Sequence, residues 1–72
     1  MNKAKAIPGY RIQPMLPITI GWFGARCDEA WFSEWEGRPC VEAHVWMGLA
    51  KSPYLIHLTI NQALEADIIE RA

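Results

Sequence analysis

The sequence predicts an α+β fold: a small antiparallel sheet of about four strands, built around a β-hairpin at Glu36-Gly37, with one C-terminal α-helix packed on one face. Three observations carry this. Val41, Ala43, Val45 and Met47 alternate with Cys40, Glu42, His44 and Trp46, a period of two that marks a strand. Glu36-Gly37 separates this run from residues 30–35, and glycine supplies the positive φ that a two-residue hairpin turn requires. Thr59-Ile60-Asn61-Gln62 has the form of a capping box, with an apolar stripe of Ile60, Ala63, Leu64 and Ile68 behind it.

Taken in order, residues 1–9 read as a flexible N-terminal segment that ends at Pro8-Gly9. Residues 10–23 are rich in β-branched and aromatic side chains, but their prolines exclude a long helix and suit an edge strand or two short extended pieces. Gly21 and Gly24 mark a bend or bulge. Residues 28–36 are read as the first arm of the hairpin; the competing reading is a short helix capped by Asp28 and stopped by Gly37. Residues 48–53 form a turn. Residues 54–58 are apolar at nearly every position, which predicts a strand covered on both faces. The C-terminal helix follows, and Ile69 points away from its stripe, adding apolar surface near the C-terminus.

All 72 residues form a single domain, and a chain of this size buries only about 60% of its unfolded surface. The balance of 51% hydrophobic and 21% charged residues is that of a globular rather than a disordered chain. Two cysteines are too few for a disulfide framework of the secreted kind, and there is no signal-peptide pattern and no membrane-length apolar run. The expected location is the cytoplasm, with no membrane partner. Charge is asymmetric: residues 1–26 carry +4 and residues 27–72 carry −5, together the net −1.

Four tryptophans fall between residues 22 and 46, and each ring buries roughly 150–250 Å² when covered. Trp22 goes with the apolar N-terminal strand and the core. In the hairpin, pairing Trp35 with Arg38 sets Cys40 opposite Ser33 and Cys27 opposite Trp46. It also places Trp31, Ser33, Trp35, Arg38, Cys40, Glu42, His44 and Trp46 on one face. Ala30, Phe32, Val41, Ala43, Val45 and Met47 occupy the other, which is the core face. Tryptophan mixed with arginine and polar groups is the composition of a binding surface, with a Trp35–Arg38 cation–π pair as one element. The competing arrangement lays residues 10–15 over this face and buries it.

The partner-binding residues are therefore Trp31, Trp35, Arg38, Glu42, His44 and Trp46. The expected function is non-enzymatic protein binding, to another protein or a second copy of the chain. Compact accessory proteins that inhibit or adapt a larger complex, as phages and mobile elements encode, share this profile. A nucleic-acid-associated module using the basic N-terminal half ranks second, because the acids Glu29, Glu34, Glu36 and Glu42 crowd the tryptophans. A small metal protein or enzyme using Cys27, Cys40, His44 and His57 ranks third. Residues 40 and 44 of one strand lie about 13 Å apart, too far to share an ion or a proton. No cofactor, catalytic set or metal site is expected.

Overall fold

The computed structural model describes residues 6–21 and 24–72. Its elements are β1 (Tyr10–Ile12), β2 (Ile18–Thr19), β3 (Arg26–Trp35), β4 (Arg38–Trp46), β5 (Tyr54–Leu58), α1 (Ile60–Glu65) and β6 (Ile69–Arg71). Residues 1–5 of the predicted flexible segment, and Trp22 and Phe23, lie outside the described residues. Strands β2-β3-β4-β5 form a four-stranded antiparallel sheet, while β1 and β6 pair antiparallel as a separate two-stranded sheet. The predicted α+β class, hairpin and C-terminal helix are all present. Among the described residues no helix is long and apolar enough to cross a membrane.

The hairpin turns where the local chemistry demands. Glu36 and Gly37 both have positive φ, 52° and 78°, the mirror-image turn whose twist matches that of the strands it joins. Residues 28–36 therefore lie in strand β3 and its turn, not in a helix. Trp35 pairs with Arg38 and Ser33 with Cys40, as the turn dictates.

Further from the turn the expected register fails. The ladder shifts between Cys27 and Glu29, so that Asp28 is an extra residue without a partner on β4. Cys27 consequently faces Val45, and Arg26 faces Trp46. The bulge sends Cys27 to the core side, where its thiol donates to the Glu29 carbonyl across the bulge at 3.7 Å. No glycine marks the position. Gly21 and Gly24, expected to mark a bend or bulge, mark a bend and a turn between β2 and β3, Gly24 with φ 71°.

One face of the larger sheet holds the core. Cys27, Phe32, Val41, Ala43, Val45 and Leu58 pack against Ala63 of α1 and against Ile68 and Ile69. Tyr10 and Ile12 of β1, and Ile7 before it, add to the same cluster. Residues 10–12 are thus docked on the core face through β6 and do not follow the competing arrangement over the tryptophan face.

The helix starts as its capping box requires: Gln62 N–H donates to the Thr59 hydroxyl at 3.1 Å, and Thr59 N–H donates to the Gln62 side chain at 2.9 Å. It stops after six residues, well short of the C-terminus. Asp67 adopts the left-handed conformation (φ 61°). Its N–H donates to Leu64 and that of Ile68 donates to Ala63, the paired bonds of a Schellman stop. Ile68 therefore leaves the helical stripe, and Ile69 is buried in β6 rather than adding to the surface. Arg11 pairs with Glu70 across β1 and β6, and Arg71 lies over the Tyr10 ring.

Strand β5 also departs from expectation. It is an edge strand with only β4 beside it, and Tyr54 and Leu55 are exposed. Its apolar run reflects Ile56 and Leu58 facing the core beside Ala43 and Val41, not coverage of both faces.

Candidate functional site

The sheet face opposite the core carries the candidate site. Strand parity on both sides of the turn sets Trp31, Trp35, Arg38, Glu42, His44 and Trp46 on this face. The β4–β5 register then adds two residues. His57 lies beside Glu42, and Leu55 beside His44. Across the sheet the rows read Glu29–His44–Leu55, then Trp31–Glu42–His57.

Glu42 is the hub. Its Oε1 accepts from the Trp31 indole N–H at 2.8 Å, and its Oε2 accepts from His57 Nδ1 at 3.0 Å. One carboxylate on the central strand thereby ties β3 to β5. A second pair repeats the pattern, with His44 Nδ1 against Glu29 Oε1 at 2.9 Å. A carboxylate only accepts, so Nδ1 is the donor in each ring. Aromatic contacts bind the rows together. Trp31 meets His44 edge-on at 5.0 Å, and Trp35 meets His57 at 4.9 Å with ring planes 47° apart. Trp35 thus packs on an imidazole rather than in the cation–π pair with Arg38 that its position suggested.

The tryptophans differ in depth. Trp31 is only 8% exposed although it lies on the outer face, whereas Trp35 is 57% exposed. Trp46 is half-buried beside Arg26, which pairs with Asp28 at 2.9 Å. Trp31 is therefore the floor of the patch, while Trp35 and Leu55 are its apolar projections. Among the described residues every buried side-chain nitrogen and oxygen has a hydrogen-bond partner. On this face Glu42 is paired with Trp31 and His57, and Glu29 with His44.

Because β5 ends at Leu58 while β4 runs on to Arg38, an open groove of about 520 Å³ lies beyond the end of β5. It is lined by Trp35, Arg38, Cys40, His57, Thr59 and Gln62 among others. Cys40 is buried at its base. Burial pushes its thiol up, and the neighbouring carboxylates of Glu42 and Glu34 push it further the same way. Cys40 and His57 share this groove with Glu42 behind the imidazole, a set that comes from neighbouring strands and not from spacing along one strand. A thiol held protonated is a poor nucleophile, since the thiolate is the reactive form.

Neither a family model, nor a curated protein, nor a solved structure matches the chain. What the site can do must be read from its own geometry. Cys27 lies on the core face, away from Cys40, His44 and His57, so the four residues of the metal reading do not converge. Among the described residues no cluster of three His, Cys, Asp or Glu side chains is arranged to hold a metal ion.

Sequence reasoning missed Glu29, Leu55 and His57 as members of this face. Leu55 and His57 share a parity opposite to Tyr54, Ile56 and Leu58, and that was the available signal. The uniform apolarity of the strand hid it.

Cys27 is raised as well, first by burial, with its bond to the Glu29 carbonyl opposing and Asp28 adding to the rise. The stability consequence has a definite sign. Unfolded thiols lose their protons around the ordinary value of 9.0, while the folded ones retain theirs. This contribution is fully present below about pH 9 and is lost as pH rises through the folded values. Urea midpoints should hold between pH 7 and 8.5 and fall above pH 9, and Cys27→Ala/Cys40→Ala should fall less over the same interval. Parallel curves for the two proteins would remove the thiols from the account.

Proposed function

We propose that this chain is a small non-enzymatic protein-binding module, of the inhibitor or adaptor type, that docks another protein on the outer face of its four-stranded sheet. The observation that supports this reading is that, among the described residues, the elements packed on the sheet lie on one face. The helix, Tyr10 and Ile12 of β1, and Ile69 of β6 all pack with the core on one face. The opposite face presents Trp35 and Leu55 as apolar anchors, with Arg38, Glu42, His44, His57 and Trp46 around them. Exposed tryptophan and arginine beside fixed hydrogen-bonding groups are the usual makings of an interaction hot spot.

The fitting partner brings an apolar projection to seat against Trp35 and Leu55. It also brings polar groups that hydrogen-bond with the rings of His44 and His57. Prior orientation of these groups by Glu29 and Glu42 lowers the ordering cost of binding.

The test is affinity capture from the native host with wild type beside Trp35→Ala, both checked for identical circular dichroism. Trp35 is exposed, so its truncation should leave the fold intact while weakening capture of a specific partner at least about 30-fold, the scale of a 2 kcal/mol hot spot. Recovery of the same proteins by both would overturn the reading. Capture of nucleic acid that disappears with rising salt would replace it by a nucleic-acid role.

A further inference from the structure

We propose that β5 is a self-pairing edge: two copies of the chain join antiparallel through Tyr54–Leu58 into one continuous eight-stranded sheet. The edge itself specifies a strand as its occupant. β5 packs against β4 on one side and under α1 on its core face, and no other element of the described residues contacts it. In an antiparallel ladder, alternate N–H and C=O groups point away from the neighbouring strand, so β5 offers a row of them outward.

Other edges of this fold are shorter or carry charge. β2 has two residues, and β1 and β6 have three each. β3 is longer and β2 pairs only with its Arg26 and Cys27, but the remainder of that edge carries Glu29 and Glu34 and follows the bulge at Asp28. Where β4 extends past β5 it carries Pro39, which removes a donor. β5 has five residues with no proline, no bulge and no Lys, Arg, Asp or Glu. Two of its exposed side chains are large and apolar, Tyr54 at 53% and Leu55 at 51%, and the third is His57. An edge of that length, regular in register and without Lys, Arg, Asp or Glu, is a template for pairing.

A second copy is the occupant that the residues favour. A two-fold axis at Ile56 sets Ile56 opposite itself, Tyr54 opposite Leu58 and Leu55 opposite His57 of the second copy. Every cross-strand pair is then apolar or imidazole against aliphatic, with no like charges facing each other in a chain whose residues 27–72 carry −5. On the outer face Leu55 of each copy would meet His57 of the other, whose Nδ1 Glu42 already holds. Two five-residue edges bury an area at the small end for specific interfaces, so the association depends on concentration rather than being obligate.

Sedimentation equilibrium of the full chain over a concentration series is the test, together with hydrogen exchange of the β5 amides. The mass should rise from 8.2 kDa toward twice that value, and the outward amides of residues 54–58 should exchange more slowly as it does. Tyr54→Lys and Leu55→Lys, both at half-exposed positions and checked by circular dichroism, should each weaken association at least about tenfold. Tyr54 lies off the aromatic face, so its variant leaves partner docking untouched, and Trp35→Ala leaves the edge untouched. A monomer up to about 1 mM overturns the proposal. So does a dimer that resists both lysines but dissociates with Trp35→Ala, or protection of residues 54–58 that only a foreign strand confers.

Discussion

Replacement of Trp31 by alanine should cost about 3–5 kcal/mol, the range for truncating a buried tryptophan. A domain of this length, at about 0.05–0.15 kcal/mol per residue, has only roughly 4–11 kcal/mol in all. Trp31→Ala should therefore lose from about a quarter to all of its native stability, with a lower urea midpoint than wild type. The size of the effect follows from the depth of the ring, which is 8% exposed where Trp35 of the same face is 57% exposed. His44 meets the ring edge-on, and Glu42 accepts its N–H. Trp31→Phe separates the two contributions. It keeps most of the apolar contact and removes one hydrogen bond, at a cost of about 1 kcal/mol, since Glu42 retains His57. Urea titration followed by circular dichroism measures both. A Trp31→Ala midpoint equal to that of wild type would mean that this ring is not the floor of the sheet face.

Ile69→Asp is expected to abolish cooperative folding. Ile69 is 2% exposed, it pairs with Ile12 of β1, and the core cluster around it is apolar, so a carboxylate there would be buried among apolar side chains. Ile69→Ala should cost about 2–5 kcal/mol and Ile69→Val about 0.5–1.5 kcal/mol. The next residue provides the contrast. Glu70→Ala removes a solvent-facing ion pair with Arg11 and should cost at most about 1 kcal/mol. Thermal melts of the four variants should fall in that order. A sharp, wild-type-like transition for Ile69→Asp would show that β6 is not docked in solution.

That contrast also marks the limit of what the sequence discloses. Alternation and the Glu36-Gly37 turn are local, and they correctly place Trp31, Trp35, Arg38, Glu42, His44 and Trp46 on one face. The capping box at Thr59 is local too. The helix stop was hidden because an aspartate occupies the left-handed position that glycine usually marks, and with it went the identity of β6. Pairing of β1 with β6 joins residues some sixty positions apart, and nothing in either segment names the other. The β4–β5 register is equally non-local, so the carboxylate–imidazole pair of Glu42 and His57 was not legible. Parity also assigns a face but not a depth, which is why Trp31 and Trp35 looked equivalent. Their surroundings, not their spacing, make one a floor and the other an anchor.

The bulge at Asp28 has a consequence for how this chain tolerates changes in length. Cys27 and Glu29 face opposite sides because one residue between them is left out of the ladder. Deleting Asp28 would thus join two segments already in the correct phase. Cys27 would still oppose Val45, Glu29 would still oppose His44, and each side chain would stay on its own face. A one-residue deletion between Glu29 and Trp35 would do the reverse, turning part of the strand over and trading tryptophan for core. A substitution at Asp28 alters one ion pair with Arg26, whereas the number of residues around it determines the phase of a whole strand. Length variants that retain function should accordingly gather at this position and be missing from the seven residues that follow.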